Sequence, residues 1–489
     1  MGYYLNILRQ LPGKINKIMI KKIILIYPPF PMAERYGKGL AQIGTCLPPL
    51  GLLFIGAVLE KEGYEVRVYD SDLKNSTIEQ LVDYIKEYEP DFVGIYCNTS
   101  NYHRVLNYAE NIKKIKNYPI CLGGPHPVIE PEEILKNKDI DYVVMGEGEL
   151  TLSELLKFLN EKKDLSSVKG LAYKKNDGSI VINPRRELIR DLDILPMPAR
   201  HLVEIEKYRP SPHHYKELPM TTMILSRGCP FGCLYCASRN IWGRTYRVRS
   251  VDKAIEEIKQ LIKNYGIKNI NFWDDLWGVK PGWTEEFCKR MIDEKIKISW
   301  SCERRVDTVN LETLKLMKKA GCYSIFYGIE SFDQECLDAI NKGIKVEDAK
   351  NAMMLTQKAG IEVRANFILG LPHETPEKAK KMIKMISKIN PDYIKFNVLT
   401  PYPGTALYQE VSSGSKWGIF KKDYSKSTSY FATFLPYGYK SFEELESMKR
   451  YAFRKFHLRP RYIFSKILKI RNFSDVKKYW NGFWAIIKI

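Results

Sequence analysis

Residues 221–236 read TTMILSRGCPFGCLYC, a short apolar strand followed at once by three cysteines, Cys229, Cys233 and Cys236. The C-x3-C-x2-C spacing lets one tight loop offer three thiolates to one metal centre. A structural zinc site fills four positions with Cys or His, and no fourth such residue is obvious nearby. Three thiolates on a [4Fe-4S] cluster instead leave one iron open to bind a substrate or cofactor. The loop therefore predicts an iron–sulfur site at the end of a strand.

Strands and helices alternate from this stretch to about residue 403. Helices are predicted over residues 251–265, 283–294, 311–320, 346–359 and 377–389. The apolar runs between them are TTMILSRG, IKNINFWDD, ISWSCERR, YSIFYGIES, EVRANFILGLP and DYIKFNVLTPYP. This pattern predicts a partial (β/α)6 barrel over residues 219–410, in which chemistry gathers at the carboxyl ends of the strands.

A second alternation precedes the barrel and predicts an α/β Rossmann-like domain over residues 21–160. Its strands are KKIILIYPP, EVRVYD, DFVGIYC, PICLGG and DYVVMG, with helices over 50–62, 77–88 and 102–116. Such short apolar strands form parallel sheets covered on both faces, and ligands bind beyond their carboxyl ends. The residues at those ends are Pro28, Pro29, Asn98, Thr99, Ser100, Gly123, Gly124, His126, Gly146 and Glu147. The glycines allow the backbone to approach a bulky ligand closely.

Three further segments lie outside the two domains. Residues 1–20 form a basic extension without a secretory signal pattern, and the second methionine, Met19, is a candidate start. Residues 161–218 are rich in proline and predict a linker. Residues 411–489 predict a helical region, in which twelve Lys/Arg face one acid, Asp475, from Lys449 onward. The cations and interleaved aromatics suit an anionic bilayer or nucleic acid, but equally a helical cap with a basic outer face.

The composition fits a multidomain globular protein. The chain has 489 residues, of which 45% are hydrophobic, and no apolar run long enough to cross a membrane. Its ten scattered cysteines favour a reducing cytoplasm over a disulfide framework. The net charge of +20 indicates either an anionic partner or solvated helix faces.

The cysteine spacing, with Tyr235 before the third cysteine, resembles the signature of the radical S-adenosylmethionine (SAM) superfamily. The resemblance implies that the open iron chelates the amino and carboxylate groups of SAM. An electron from a reductant such as ferredoxin or flavodoxin then breaks the C5′–S bond, and the 5′-deoxyadenosyl radical abstracts a substrate hydrogen. Beyond the cluster ligands no catalytic residue is assigned.

The same resemblance implies SAM contacts at later strand ends. Asp274 and Asp275 would contact the amino group, and Arg305 the carboxylate. Tyr235 in the cysteine loop is a further predicted SAM contact. Glu330 and Ser331 would lie at the ribose, and Gly370 and Glu374 on the adenine side. Any one of these residues alone could instead form a turn or a helix cap, but their placement at successive strand ends favours the SAM site.

The two domains together resemble the cobalamin-binding branch of this superfamily over residues 21–410. The stretches that carry the resemblance are PPLG at 48–51, GGPHP at 123–127, GEGE at 146–149 and LRPRYI in the tail. The ten strand-end residues of the first domain would then face cobalamin. The D-x-H-x-x-G signature is absent, since YPPFPMAERYGKG stands at 27–39. Cobalamin would therefore lack a histidine on its lower face, or the domain has lost it and serves for docking; His126 is either a ligand or a packing residue.

This resemblance implies a methyltransferase acting on an unactivated carbon. One SAM would methylate cob(I)alamin and a second would supply the radical. The alternatives are a cyclase or C–C coupling enzyme with the same cofactors, and a non-catalytic iron–sulfur protein attached to a membrane. The basic aromatic tail favours a hydrophobic or lipid substrate and peripheral membrane contact, whereas nucleic acid is disfavoured because no RNA-binding module is recognisable.

Overall fold

A computed structural model of the chain describes residues 19–40, 45–211, 214–414, 416–468, 470 and 473–487. The predicted basic extension lies outside the described residues except for its last two positions. The described chain forms two large sheets, each covered by helices, and a C-terminal region that contacts both.

The first sheet has seven strands in the order β2-β1-β3-β4-β5-β6-β7. Its first five strands are parallel, whereas β6 and β7 are added antiparallel. The strands are β1 (Lys22–Tyr27), β2 (Glu65–Asp70), β3 (Phe92–Tyr96), β4 (Ile120–Gly123), β5 (Tyr142–Val144), β6 (Leu171–Lys174) and β7 (Ile180–Ile182). The parallel part confirms the predicted Rossmann-like sheet.

The last two strands correct the prediction of a linker over residues 161–218. Leu171 and Ala172 of β6 are fully buried, and β7 forms the edge of the first sheet beyond them. Between β6 and β7 the chain reads KNDGS, a turn sequence that joins hairpin strands. Further along, buried Arg200 donates to the carbonyl of Thr222 at 2.8 Å and to Glu257 at 2.9 Å. The segment is therefore part of the folded core.

Helices pack on both faces of the first sheet, with a separate apolar core on each side. The predicted helices over 50–62, 77–88 and 102–116 are present with ends shifted by one residue. The helices are α1 (Met32–Leu40), α2 (Leu50–Lys61), α3 (Ser71–Lys74), α4 (Ile78–Tyr88), α5 (Tyr102–Ile115), α6 (Pro131–Leu135) and α7 (Gly148–Glu161).

The second sheet has six parallel strands in the order β15-β14-β13-β12-β11-β8, as predicted for a partial barrel. The strands are β8 (Met220–Met223), β11 (Asn269–Phe272), β12 (Ser299–Arg304), β13 (Cys322–Glu330), β14 (Glu362–Leu369) and β15 (Tyr393–Val398). A small antiparallel pair, β9 (Ser226–Arg227) and β10 (Arg247–Val248), lies before and after the cysteine loop. The helices are α8 (Ser238–Trp242), α9 (Val251–Tyr265), α10 (Trp283–Asp293), α11 (Leu311–Lys319), α12 (Gln334–Ala339), α13 (Val346–Lys358) and α14 (Pro376–Ile389).

The two faces of the second sheet differ in chemistry. Alternate side chains such as Tyr327, Phe367 and Phe396 enter the large core beneath the helices. Because successive residues of a strand point to opposite faces, the residues between them line the concave side. There Gly328 lies beside Asn366, and Asn366 lies beside Lys395. The concave side is therefore polar where the convex side is apolar.

The C-terminal region contains more than the helices predicted for it. Its elements are α15 (Ala406–Ser412), the antiparallel pair β16 (Gly418–Phe420) and β17 (Phe434–Pro436), α16 (Phe442–His457), α17 (Pro460–Ile467) and α18 (Phe473–Ile487). Helix α16 buries Leu445, Ala452 and Phe456 in the core of the barrel. It thus serves as the barrel's sixth helix. No described helix has the length and apolar content needed to cross a membrane.

Candidate active site

The three loop cysteines differ from the other cysteines in exposure. Cys229, Cys233 and Cys236 are partly exposed, whereas the other seven are buried. Within the described residues, no three His, Cys, Asp or Glu side chains converge on a single metal ion. A [4Fe-4S] cluster presents a different iron to each thiolate, and three partly exposed cysteines in one loop fit that requirement.

Burial and the nearby Arg305 have opposite effects on the pKa of the loop thiols. Burial raises the pKa of Cys229, and it raises the pKa of Cys236 to about 12. Arg305 opposes this effect at Cys229; its guanidinium stacks 3.8 Å from the ring centre of Phe231 and donates to the carbonyl of Gly343 at 2.7 Å. Thiolates in this setting need the charge of bound metal, which the three cysteines are placed to hold.

Two neighbouring acids after β11 have different surroundings. Asp274 is buried, and its Oδ1 accepts from the backbone N–H of Leu225 at 2.8 Å and from Ser226 Oγ at 2.9 Å. Burial raises its pKa to about 7. Asp275 is solvent-accessible and accepts from Ser238 Oγ at 3.1 Å. Asp274 therefore holds the junction between strand and loop, and Asp275 faces the side where SAM is predicted.

Glu330, at the end of β13, is the centre of a hydrogen-bonded group. Its Oε1 accepts from Tyr235 Oη and Lys342 Nζ, both at 2.9 Å, and its Oε2 accepts from Asn366 at 2.8 Å. Its φ of 70° lies in the left-handed region, a conformation retained mostly at functional sites. Next to it, Ser331 Oγ accepts from the N–H of Asp333 at 3.1 Å. The hydrogen bond from Tyr235 thus connects the cysteine loop to Glu330, where the ribose of SAM is predicted to bind.

The loop after β14 is tied to the C-terminal region. Glu374 is buried; its Oε1 accepts from the N–H of Gly370 and from Tyr439 Oη, both at 2.8 Å. Burial raises the pKa of Glu374 to about 7. The carboxyl group of Glu374 thus stabilises its own loop, and SAM contacts by Glu374 and Gly370 stay predictions.

The carboxyl edge of the first sheet presents aromatic surface and open glycines. Tyr27 and Tyr96, the last residues of β1 and β3, stack with ring centres 5.0 Å apart. A Cβ placed on Gly123 or Gly146 would meet no atom within 4 Å. A broad flat ligand such as a corrin fits this edge, because no side chain fills the space above the glycines. Neither tyrosine was predicted, although each is the last residue of its strand.

Other residues predicted to face cobalamin lie directly after β1, β3 and β4. Pro28 and Pro29 follow β1, and Gly124 has a φ of 119°. Asn98 caps the turn Thr99–Asn101 by accepting from the N–H of Asn101 at 3.0 Å. Ser100 Oγ donates to the carbonyl of Ser427, so the C-terminal region covers this strand end.

His126 is packed among aromatic rings. It is 1% exposed, with the rings of Tyr102 and Tyr424 at 4.6 and 5.5 Å. Its Nδ1 lies 3.4 Å from Thr99 Oγ1. Burial lowers its pKa to about 4. This setting is that of a packing residue, the second of the two roles considered for it.

Glu147 joins the two domains. Its Oε1 accepts from Arg227 at 2.6 Å and from Arg247 at 2.9 Å, and its Oε2 accepts from the N–H of Ile189 at 2.7 Å. Glu149 pairs with the same Arg227. Both oxygens of Glu147 thus accept hydrogen bonds from protein donors, and a cobalamin contact by Glu147 stays a prediction. Sequence reasoning missed Arg227 and Arg247, since only the fold brings them to Glu147.

Comparison with known proteins decides the family. A B12 binding domain model matches residues 38–156, and a radical SAM superfamily model matches residues 223–386. The chain is 33% identical over 456 residues to an uncharacterized methyltransferase of Pyrococcus horikoshii, covering 93% of this chain and 96% of that protein. The chain belongs to the cobalamin-binding radical SAM family. It is also 29% identical over 411 residues to the anaerobic magnesium-protoporphyrin IX monomethyl ester cyclase of Rubrivivax gelatinosus, covering 82% and 71%.

Solved structures show the same architecture. The radical SAM methyltransferase TsrM from Kitasatospora setae aligns with a TM-score of 0.69 at 16% identity, covering 85% of this chain and 87% of TsrM. The cobalamin-dependent radical enzyme OxsB aligns with a TM-score of 0.73 at 18% identity, covering 95% and 72%. At these identities the likeness is one of fold, and it confirms the predicted fold class.

Membership of the family confirms the predicted cofactors and the predicted enzyme class. The chain is a radical SAM enzyme whose cofactors are a [4Fe-4S] cluster, SAM and cobalamin. Relatives of this family include methyltransferases and a cyclase. The alternative of a non-catalytic iron–sulfur protein is not supported.

Proposed function

We propose that this enzyme transfers a methyl group to an unactivated carbon of a small molecule. The observation that carries the proposal is the ion-pair group of Arg227, Arg247, Glu147 and Glu149. Arg227 lies two residues before Cys229, and the two acids follow β5 at the carboxyl edge of the first sheet. The cluster loop and the cobalamin edge are therefore fixed against each other, as two cofactors serving one substrate require.

The residues of the barrel would hold the nucleoside cofactor. When bound, the cluster and SAM supply the radical that removes a substrate hydrogen. Cys229, Cys233 and Cys236 would bind the cluster. Glu330 would accept from the ribose hydroxyls, because Tyr235 and Lys342 fix its carboxylate in place. Asp275 would accept from the amino group and Arg305 would donate to the carboxylate of SAM.

The first domain would hold cobalamin without a histidine ligand. Tyr27 and Tyr96 supply a stacked aromatic surface, and Gly123 and Gly146 leave space for the ring. The burial of His126 supports a lower face without an imidazole. The strand-end residues that remain accessible would position the ring at the domain interface.

The C-terminal helices support peripheral membrane contact, and the ten scattered cysteines support a cytoplasmic location. Phe464 on α17, Leu468 directly after that helix and Trp480 on α18 are 62%, 70% and 59% exposed. The sequence of this region contains several Lys and Arg residues. Exposed aromatic and aliphatic side chains with basic neighbours suit an anionic bilayer surface. A hydrophobic or lipid substrate would reach the enzyme from that surface, and a ferredoxin or flavodoxin would supply the electron.

A cyclase is the second candidate function. The observation that favours it is the similarity to the cyclase of Rubrivivax gelatinosus over 82% of this chain. Both activities would use the same cofactors. Incorporation of a labelled methyl group from SAM into the product would identify a methyltransferase, whereas an unlabelled, ring-closed product would identify a cyclase.

Replacement of a cluster ligand tests the radical step. In the anaerobically reconstituted full chain, Cys233→Ala should abolish both the visible iron–sulfur absorption and the formation of 5′-deoxyadenosine, because two thiolates do not retain the cluster. Cys288→Ala, which removes a buried thiol of α10, is the matched control and should retain both. Formation of 5′-deoxyadenosine by Cys233→Ala at the wild-type rate would overturn the assignment.

A further inference from the structure

The cysteine loop has an outer side at the protein surface and an inner side toward the barrel. On the outer side, Pro230 is exposed, and the carbonyl of Gly232 accepts from Nδ2 of the exposed Asn341 at 3.0 Å. On the inner side, Tyr235 donates to Glu330, where the ribose of SAM is predicted. Since SAM and substrate would fill the inner side, an electron from another protein has to reach the cluster from the outer side.

One arginine lies directly against the outer side of the loop. Gly232 has no side chain, and a Cβ placed there would lie 2.7 Å from Nη2 of Arg244. The guanidinium therefore occupies the place that a side chain of the loop would take. Arg244 is nevertheless exposed to solvent, so its charge is accessible to a partner next to the loop that would hold the cluster.

Two further arginines lie around α8, which begins two residues after Cys236. Arg239 is exposed on this helix. Arg185, which follows β7, is also exposed, and it donates to the carbonyl of Asn240 at 3.1 Å and to the carbonyl of Val128 at 3.0 Å. These hydrogen bonds hold Arg185 beside α8. The three arginines thus form one basic surface beside the cysteine loop, the α8 face, which consists of Arg185, Arg239 and Arg244.

The arginines of the α8 face have no acidic partner within the described ranges. Glu187, the acid nearest to Arg185 in the sequence, pairs instead with Lys169 at 2.8 Å. Asp338 and Glu410 are exposed on α12 and α15, two helices next to the loop, but neither is within ion-pair distance of the three guanidinium groups. Exposed cations stay hydrated and need no partner for stability, so the α8 face is free to attract a negatively charged surface.

The α8 face lacks the apolar surface of a membrane-binding region. No large apolar side chain of residues 228–245 is exposed, whereas Phe464, Leu468 and Trp480 are exposed in the C-terminal region. Insertion of apolar side chains is what holds such a region on a bilayer. Charge without exposed apolar groups instead suits a transient complex with an acidic protein, because such complexes rely on electrostatic attraction over a small interface.

We propose that the α8 face is the docking site of an acidic one-electron carrier protein, a ferredoxin or flavodoxin, which reduces the cluster from the outer side of the loop. The identification of this partner as the electron donor rests on the proposed function. The carrier is oxidised by one electron, which reduces the cluster from the 2+ to the 1+ state, and no bond is made or broken. The arginines would accelerate the encounter and orient the carrier toward the loop.

Binding of an oxidised carrier tests the α8 face without electron transfer. The full chain with its reconstituted cluster is titrated anaerobically, without SAM or cobalamin, with an oxidised flavodoxin and an oxidised ferredoxin whose sequences carry an excess of acidic residues. Microscale thermophoresis measures the affinity. We expect at least one carrier to bind, and an increase in ionic strength from about 20 mM to about 200 mM should weaken that binding about ten-fold.

Variants locate the binding on the surface. Replacing the three arginines of the α8 face by glutamine should weaken binding about ten-fold at low salt, whereas replacing them by lysine should retain most of the affinity. Lys380, Lys384 and Lys388, exposed on α14, provide the matched control. Their replacement by glutamine removes the same charge from another surface and should change the affinity less than about two-fold.

The rate of cluster reduction separates docking from damage to the loop. Bleaching of the visible iron–sulfur absorption is followed by stopped flow with the reduced form of the carrier that binds. The glutamine variant of the α8 face should be reduced about ten-fold more slowly than wild type at carrier concentrations below the Kd. Photoreduced 5-deazariboflavin, a small uncharged donor that needs no docking, should reduce both proteins at the same rate.

Four outcomes would overturn the proposal. The first is that neither carrier binds the wild type at low salt, and the second is that the glutamine variant of the α8 face binds as tightly as wild type. The third is an equal loss of affinity in the α14 control, which would assign the effect to net charge. The fourth is equally slow reduction of the variant by 5-deazariboflavin, which would assign the arginines to the structure of the loop. Since binding is measured without methyl transfer, failure of the proposed methyl transfer would leave it unaffected.

Discussion

Arg227 donates from Nη1 to Oε1 of Glu147 at 2.6 Å, and both side chains are buried. The pair connects the strand before the cluster loop to the carboxyl edge of the first sheet. Arg247 adds a second donor to the same carboxylate at 2.9 Å. The relative position of the two cofactor sites thus depends on one buried acid.

Loss of that acid should destabilise the protein. Glu147→Gln leaves two buried guanidinium groups with less counter-charge, and we expect the free energy of unfolding to fall by about 3 kcal/mol. Urea denaturation monitored by tryptophan fluorescence measures this. Glu187→Gln, which breaks an exposed pair with Lys169, should change it by less than about 1 kcal/mol. Equal changes in the free energy of unfolding for the two variants would show that the buried ion pairs do not stabilise the contact between the two domains.

The two acids after β11 should separate stability from SAM binding. Asp275→Asn should weaken SAM binding about ten-fold through loss of a charged acceptor, with little change in stability. Asp274→Asn should instead destabilise the fold, because its buried oxygen accepts from the strand backbone. Anaerobic calorimetry with SAM and thermal unfolding test both. A reversed pattern would place Asp274 at the cofactor.

Glu374 should make stability dependent on pH. Its pKa is raised to about 7 in the folded chain, mainly by burial, and lies near the ordinary 4.5 when unfolded. The folded state therefore binds the proton more tightly, so the contribution of Glu374 to stability decreases as pH rises from about 4.5 to about 7. The difference in Tm between wild type and Glu374→Gln should become less favourable to wild type over that range. A difference independent of pH would contradict the raised pKa.

The tail should carry membrane binding. Replacing Phe464, Leu468 and Trp480 by serine should lower flotation with liposomes that contain anionic lipid, since apolar insertion is lost. Serine at Ile182 and Met354, two exposed apolar residues elsewhere, is the matched control. Helix α16 must be kept intact in this test because it completes the barrel core. Equal flotation of both variants would exclude these residues from membrane contact.

Periodicity in the sequence predicts both sheets and nearly all of the long helices, because each strand and helix has a regular apolar pattern. The hairpin of β6 and β7 was missed since its strands are short and lie in a proline-rich stretch. Local motifs also locate the cysteine loop and Glu330. They do not reveal which donors these carboxylates accept from, because the partners are far apart in sequence. Glu147 accepts from Arg227, and Glu374 accepts from Tyr439. Glu330 accepts from Lys342 and Asn366.

Methyl transfer to cobalamin tests the central claim most directly, since it needs no knowledge of the substrate. The anaerobically purified chain, loaded with cobalamin and given a reductant and SAM with a deuterated methyl group, should yield deuterated methylcobalamin by mass spectrometry. Gly123→Leu, which fills open space at the sheet edge, should lose cobalamin while Gly482→Leu in α18 retains it. Unlabelled cobalamin in the wild type, or undiminished labelling in Gly123→Leu, would contradict the account.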